Sequence, residues 1–186
     1  MGNSALLVMD VQRDIVARFA EQDGGYLPRL ARCVEVARGR NLPVIYVTVA
    51  FRAGYPEVSQ RNRGFAAVAG TGRMTIGDPA TEIHPDVAPR SEDVIVTKRR
   101  VSAFAGSDLD VVLRSRDIDT MILTGIATSG VVLSTLRQAA DLDYRLTVLS
   151  DACLDADPEV HRVLLEKVFP RQAEVLTVEQ WADAAA

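Results

Sequence analysis

Residues 119–135 read DTMILTGIATSGVVLST. The first seven form an apolar, β-branched run that stops at Gly125. A polar elbow follows at Thr128, Ser129 and Gly130, and an apolar helical pattern begins at Val131. The stretch is therefore a buried strand, a tight turn and a helix N-terminus. Such a junction favours a nucleophile or an anion-binding group, because helix N–H groups are unpaired there. Yet the residue after Ser-Gly carries an inert isopropyl group.

The same grammar repeats along the chain. Continuous apolar runs at 5–10 (ALLVMD), 43–49 (PVIYVTV), 93–98 (DVIVTK), 145–151 (RLTVLSD) and 173–178 (AEVLTV) give five further strands. Such runs suit strands covered on both faces. Between the first two lies YLPRLARCVEVARGR, with Leu27, Leu30, Val34 and Ala37 on one helical face. Asp157-Pro158 places an N-cap before a proline at the first helical position, and Ser107 to Asp110 resembles a capping box. Thr177 to Gln180 opens a last short helix that Trp181 docks on the body. Residues 50–92 read as a long irregular loop. Alternating strands and helices predict an α/β protein, a three-layer α/β/α Rossmann-like sandwich. It has a six-stranded parallel sheet in the order 3-2-1-4-5-6 and a single domain over 1–186.

Composition narrows the function. Lys and Arg number 21 against 25 Asp and Glu, a net charge of −4, so no basic footprint for nucleic acid is present. No apolar run reaches membrane-spanning length, and the N-terminus reads as a first strand rather than a signal peptide. Two cysteines imply neither a disulfide framework nor a thiolate zinc site, so a cytoplasmic protein is expected. No glycine-rich phosphate motif and no metal-ligand cluster occurs, so no metal and no cofactor are expected.

Ligands of open α/β sheets bind beyond the carboxyl ends of the strands. The polar groups at those ends are Asp10, Lys98, the elbow, Asp151 and Cys153. Asp10 reads equally as a helix cap and as a working carboxylate. Lys98 reads as a solvated strand terminus or as a partner for Asp10, two strand spacings or about 10 Å away. Gln12 reads as a turn residue or as an amide facing the same cleft. Of Arg99 and Arg100, at least one is expected to be solvated. Thr128 or Ser129 suits the helix N-cap. Neither His84 nor His161 occupies a position expected of a Ser-His-Asp triad. Cys33 and Cys153 read as buried hydrophobes, with Cys153 as an alternative nucleophile.

The chain resembles the isochorismatase-like, or cysteine hydrolase, family. The resemblance is carried by LLVMDVQRD (6–14), KRRVSAFAGSDLDVVL (98–113), LTGIATSGVVLSTLRQAADLDYRLTVLSDAC (123–153) and DPEVHRVLLEKVF (157–169). It implies dimers or tetramers, a small-molecule substrate and a non-proline cis peptide joining Ile126 and Ala127. It also implies a catalytic Asp, Lys and Cys, which fall on Asp10, Lys98 and Val131. Valine closes the usual route, in which a thiolate attacks an amide or nitrile carbon. The metal-binding Asp/His set of nicotinamidases is missing near residues 50–60 as well. One branch of the family cleaves a vinyl ether and needs an acid rather than a thiol. On that reading Asp10 is the general acid, Lys98 its electrostatic partner and Val131 a pocket wall. The N–H groups around Ala127–Val131 form an anion pocket, and Gln12, Phe19, Phe51, Tyr55, Phe104, Ile126, Ala127, Thr128 and Gly130 contact the substrate. The alternative is a catalytically silent binding or scaffold protein.

Overall fold

The computed structural model describes residues 3–19 and 23–184. Six strands form one parallel sheet: β1 (Asn3–Met9), β2 (Val44–Val49), β3 (Val94–Lys98), β4 (Ile118–Ile126), β5 (Arg145–Leu154) and β6 (Glu174–Leu176). Their order is β3-β2-β1-β4-β5-β6, as the alternation predicts. The helices are α1 (Arg13–Ala17), α2 (Tyr26–Gly39), α3 (Arg63–Gly70), α4 (Leu109–Ser115), α5 (Leu133–Asp141), α6 (Pro158–Val163) and α7 (Val178–Ala184).

The pleat sorts β1 between two cores. Ala5, Leu7 and Met9 pack on one face with Leu109 and Leu113 of α4 and Leu136 and Ala139 of α5. Leu6 and Val8 pack on the other with Leu30, Cys33 and Val34 of α2 and Trp181 of α7. Complete burial of one leucine contributes roughly 1.5–3 kcal/mol, so the central strand is fixed from both sides. Trp181 docks α7 as expected, with the Arg40 guanidinium 5.1 Å from its ring centroid. Thr177 and Gln180 cap that helix reciprocally, each side chain accepting the other's backbone N–H.

Two local expectations are corrected. The 50–92 segment is not wholly irregular, for it contains α3, started by Asn62, whose side chain accepts the Phe65 N–H. With only eight residues, two of them glycine, it is too short to stand out as a helix in the sequence. This segment also has a small core of its own around Val49, Phe51, Met74 and Ala80. At the start of α4 only half of the capping box forms: Ser107 Oγ accepts the Leu109 N–H, while the Asp110 carboxylate accepts from Arg114 instead of reaching back.

After β1 the chain fills β2 and β3 on one side, then crosses to β4 on the other. The topological switch therefore lies at the carboxyl ends of β1 and β4. Those ends approach so closely that a Cβ on Gly125 would overlap the Met9 carbonyl, and Gly125 has φ +134°. Only glycine fits there.

Candidate functional site

At the end of β1 the backbone turns sharply. Asp10 has φ +56°, a left-handed conformation that Asp tolerates better than most residues. Its N–H is held by the Val47 carbonyl at 2.8 Å. Lys98 ends β3 and its stem spans the end of β2, bringing Nζ to 2.9 Å from Asp10 Oδ2. The ammonium also donates to the Arg100 carbonyl at 3.0 Å. Both side chains are buried, at 2% and 9% exposure. Asp10 Oδ1 is buried too and has no hydrogen-bond partner in the protein. Burial raises the Asp10 carboxyl above its ordinary range; the charge and hydrogen bond of Lys98 pull it down but do not prevail.

The elbow lies on the neighbouring strand end. The Ile126–Ala127 peptide is cis, as the resemblance implies. A π-helical turn over Thr128–Val132 leads into α5. Neither Thr128 nor Ser129 caps the helix, contrary to expectation. Their polar groups turn instead toward the connection after β5. The Ser129 N–H donates to Asp155 Oδ2 at 2.6 Å, and Thr128 Oγ1 lies 2.8 Å from His161 Nδ1. The Gly130 N–H closes on the Ala127 carbonyl at 3.0 Å. Two amides assigned to an anion pocket are thus already engaged. His161, which the sequence places in no triad position, is carried onto the elbow by α6. Its position four residues after the cap Asp157 is the only sequence signal for this.

Val131 is 2% exposed and belongs to the α4/α5 core that also holds Phe104. Phe104 packs with Tyr144 at a centroid distance of 6.1 Å. Phe51 and Tyr55 belong to the core of the 50–92 segment, with Phe51 edge-on to Phe65. Phe51 and Phe104 are thus packing residues, while Tyr55 also borders a separate hollow of about 380 Å³ beside α3. Gln12 is corrected likewise. Its Oε1 accepts the Val49 N–H at 2.8 Å, and its Nε2 donates to the Val49 and Thr81 carbonyls at 3.0 and 2.9 Å. That amide is fully committed to tying α1, β2 and the 79–81 turn together.

Arg99 and Arg100, of which at least one was expected to be solvated, both fold back on Glu57. Cys153 is buried within the core, its Sγ 3.9 Å from the Leu123 carbonyl, and burial pushes its thiol up to about 12. It supplies no thiolate near neutral pH. Cys33, buried on α2, has its thiol raised by burial in the same way. No group of three or more His, Cys, Asp or Glu among the described residues is placed to hold a metal ion. Among the same residues no helix is long and apolar enough to cross a membrane.

A cavity of about 480 Å³ opens on the α2 side of the sheet, against Ile126 and Leu154. Of the substrate contacts expected from sequence, Phe19 and Ile126 line it. Asp10, Lys98 and Val131 do not.

A parallel α/β/α sandwich with a carboxylate–ammonium pair at its switch point, beside a cis-peptide elbow, has the architecture of the cysteine hydrolases. The chain belongs to the isochorismatase family: the model of the isochorismatase domain matches residues 4–180. It is 35% identical over 182 residues to the uncharacterized isochorismatase family protein YwoC of Bacillus subtilis, covering 97% of this chain and 93% of that one. It is 28% identical over 190 residues to a probable inactive nicotinamidase of Arabidopsis thaliana, covering 99% of this chain and 97% of that one. Among solved structures it superposes on a cysteine hydrolase from Pseudomonas syringae with a TM-score of 0.87 at 26% identity, covering 97% and 91% of the two chains.

Proposed function

We propose that the chain is a cofactor-independent hydrolase of a small molecule in which Asp10 transfers the proton and no covalent enzyme intermediate forms. The observation that carries this reading is the state of the Asp10 carboxyl. One oxygen is held by Lys98, the other is buried without a partner, and burial shifts its proton affinity upward. A general acid works best when that affinity approaches the working pH. Val131 has no lone pair with which to attack a substrate, so acyl-enzyme chemistry is closed.

The reaction that fits is cleavage of a vinyl ether. Asp10 delivers its proton to the enol-ether carbon as the double bond supplies the electron pair. The oxocarbenium ion so formed adds water, which returns a proton to Asp10. The hemiketal then collapses to a carbonyl compound and an alcohol. Lys98 stabilises the carboxylate between the two proton transfers. The test is release of pyruvate from isochorismate. Asp10→Asn should lower the rate by about 10²–10⁴-fold. An unchanged rate in that variant removes Asp10 as the acid.

A second reading is a catalytically silent binding member of the family. It draws on Val131 and on the cavity of about 480 Å³, which the Asp10–Lys98 pair does not border. Pyruvate release by the unmodified protein would end it.

A further inference from the structure

We propose that the cavity beside Ile126 is a ligand site in its own right, for a small carboxylic acid with an apolar body, separate from the Asp10–Lys98 pair. The inference does not rest on the proposed chemistry.

The cavity measures about 480 Å³, within the range of small-molecule sites. Its wall is largely apolar: Val16 and Phe19 beside α1, Leu27 on α2, and Ile126 and Leu154 at the ends of β4 and β5. A hydrocarbon ring buried against these side chains loses its water contact at about 25 cal/mol per Å². The polar groups on the lining are Arg13, His84 and Asp23, with Tyr26 beneath. They are not balanced between donors and acceptors. Asp23 is already engaged, accepting the Gly25 N–H at 2.9 Å and pairing with Arg29. Nδ1 of His84 accepts the Asp86 N–H at 3.3 Å, which leaves Nε2 as the ring's donor. The Tyr26 hydroxyl is buried without a hydrogen-bond partner, and its O–H is free to donate.

Arg13 pairs with Glu82 at 2.9 Å, but both side chains are more than half exposed, at 51% and 58%. An exposed pair of this kind holds weakly and can exchange for a better-buried carboxylate. The polarity open to a ligand is thus one exchangeable guanidinium, one ring N–H and one hydroxyl, over an apolar floor. That combination selects an acceptor-bearing anion and disfavours an amine. The two regions also face different layers. The cavity opens among side chains of the α2 core, whereas Val131 packs in the α4/α5 core.

The test uses the whole protein with benzoate as probe and benzylamine as its cationic counterpart. Benzoate should give intermolecular nuclear Overhauser effects to the methyls of Leu27 and Leu154. Arg13→Gln, a change at an exposed side chain, should weaken benzoate binding about tenfold. Benzylamine should bind at least tenfold more weakly than benzoate. Three results overturn the proposal: contacts to the Val131 methyls in place of Leu27 and Leu154, equal binding of the amine, or no benzoate binding at millimolar concentration. None of these bears on pyruvate release, so the two readings fail independently.

Discussion

Lys98 Nζ stands 2.9 Å from Asp10 Oδ2, across the carboxyl end of the strand between them, while Asp10 Oδ1 has no partner. The pair joins the outermost strand on one side of the sheet to its centre. Charges this dry are costly to separate, because the survivor stays buried without its counter-charge. Lys98→Met should therefore lower stability by about 3–5 kcal/mol near neutral pH, measured by urea denaturation.

The pH dependence follows from the same geometry. Burial lifts the folded-state affinity of Asp10 for its proton above the ordinary value of 3.8, although Lys98 opposes the shift. The folded state thus binds the proton more tightly than the unfolded chain does. The stabilisation from this group is complete below about 3.8 and declines as the pH rises through the folded value. Lys98→Met should carry that decline to higher pH, since only burial then acts on the carboxyl. Stability curves for the two proteins that superpose across pH after a constant offset would contradict this.

Gln12 makes three hydrogen bonds to buried or partly buried backbone groups of Val49 and Thr81. Gln12→Leu orphans all three, at about 1–3 kcal/mol each. The expected loss is at least about 3 kcal/mol in chemical denaturation. Gln12→Glu should not rescue it, because a carboxylate cannot donate to the two carbonyls.

The Thr128–His161 contact ties the elbow to α6. Burial lowers the His161 imidazole below its ordinary value of 6.5, with the Asp155 carboxylate opposing. A depressed folded value means that the stabilisation is present above about 6.5 and is lost as the pH falls through the folded value. His161→Gln should remove that part of the pH dependence in thermal melts. His161→Ala should cost roughly 1 kcal/mol through the lost hydrogen bond.

Neither native thiol should react with iodoacetamide in the folded protein. With the Cys153 thiol pushed up to about 12, only about one in ten thousand is ionised near pH 8. Val131→Cys, at a position 2% exposed in the same core, should stay unlabelled as well, read by mass spectrometry; one label per chain there would reveal a path from solvent to the elbow. Labelling of Cys153 would contradict the burial described here.

The sheet was legible because buried parallel strands print themselves as uninterrupted apolar runs, as in ALLVMD and TMILT. Their order followed from connection rules. The Asp10–Lys98 contact was legible as well, since strand order sets the two ends two spacings apart, within reach of a lysine stem. Other assignments depended on side-chain direction, which sequence spacing does not carry. Gln12 turned inward to serve the backbone, and Phe51, Tyr55 and Phe104 satisfied local cores. His161 was missed because the path of the chain after β5, rather than any local pattern, brings it over the elbow.

Gly125 sets the width of this end of the sheet by backbone alone, since nothing larger than hydrogen fits against Met9. A boundary drawn by main-chain atoms does not shift when residues further along are exchanged. The mouth between β1 and β4 therefore keeps its width whichever side chain occupies position 131.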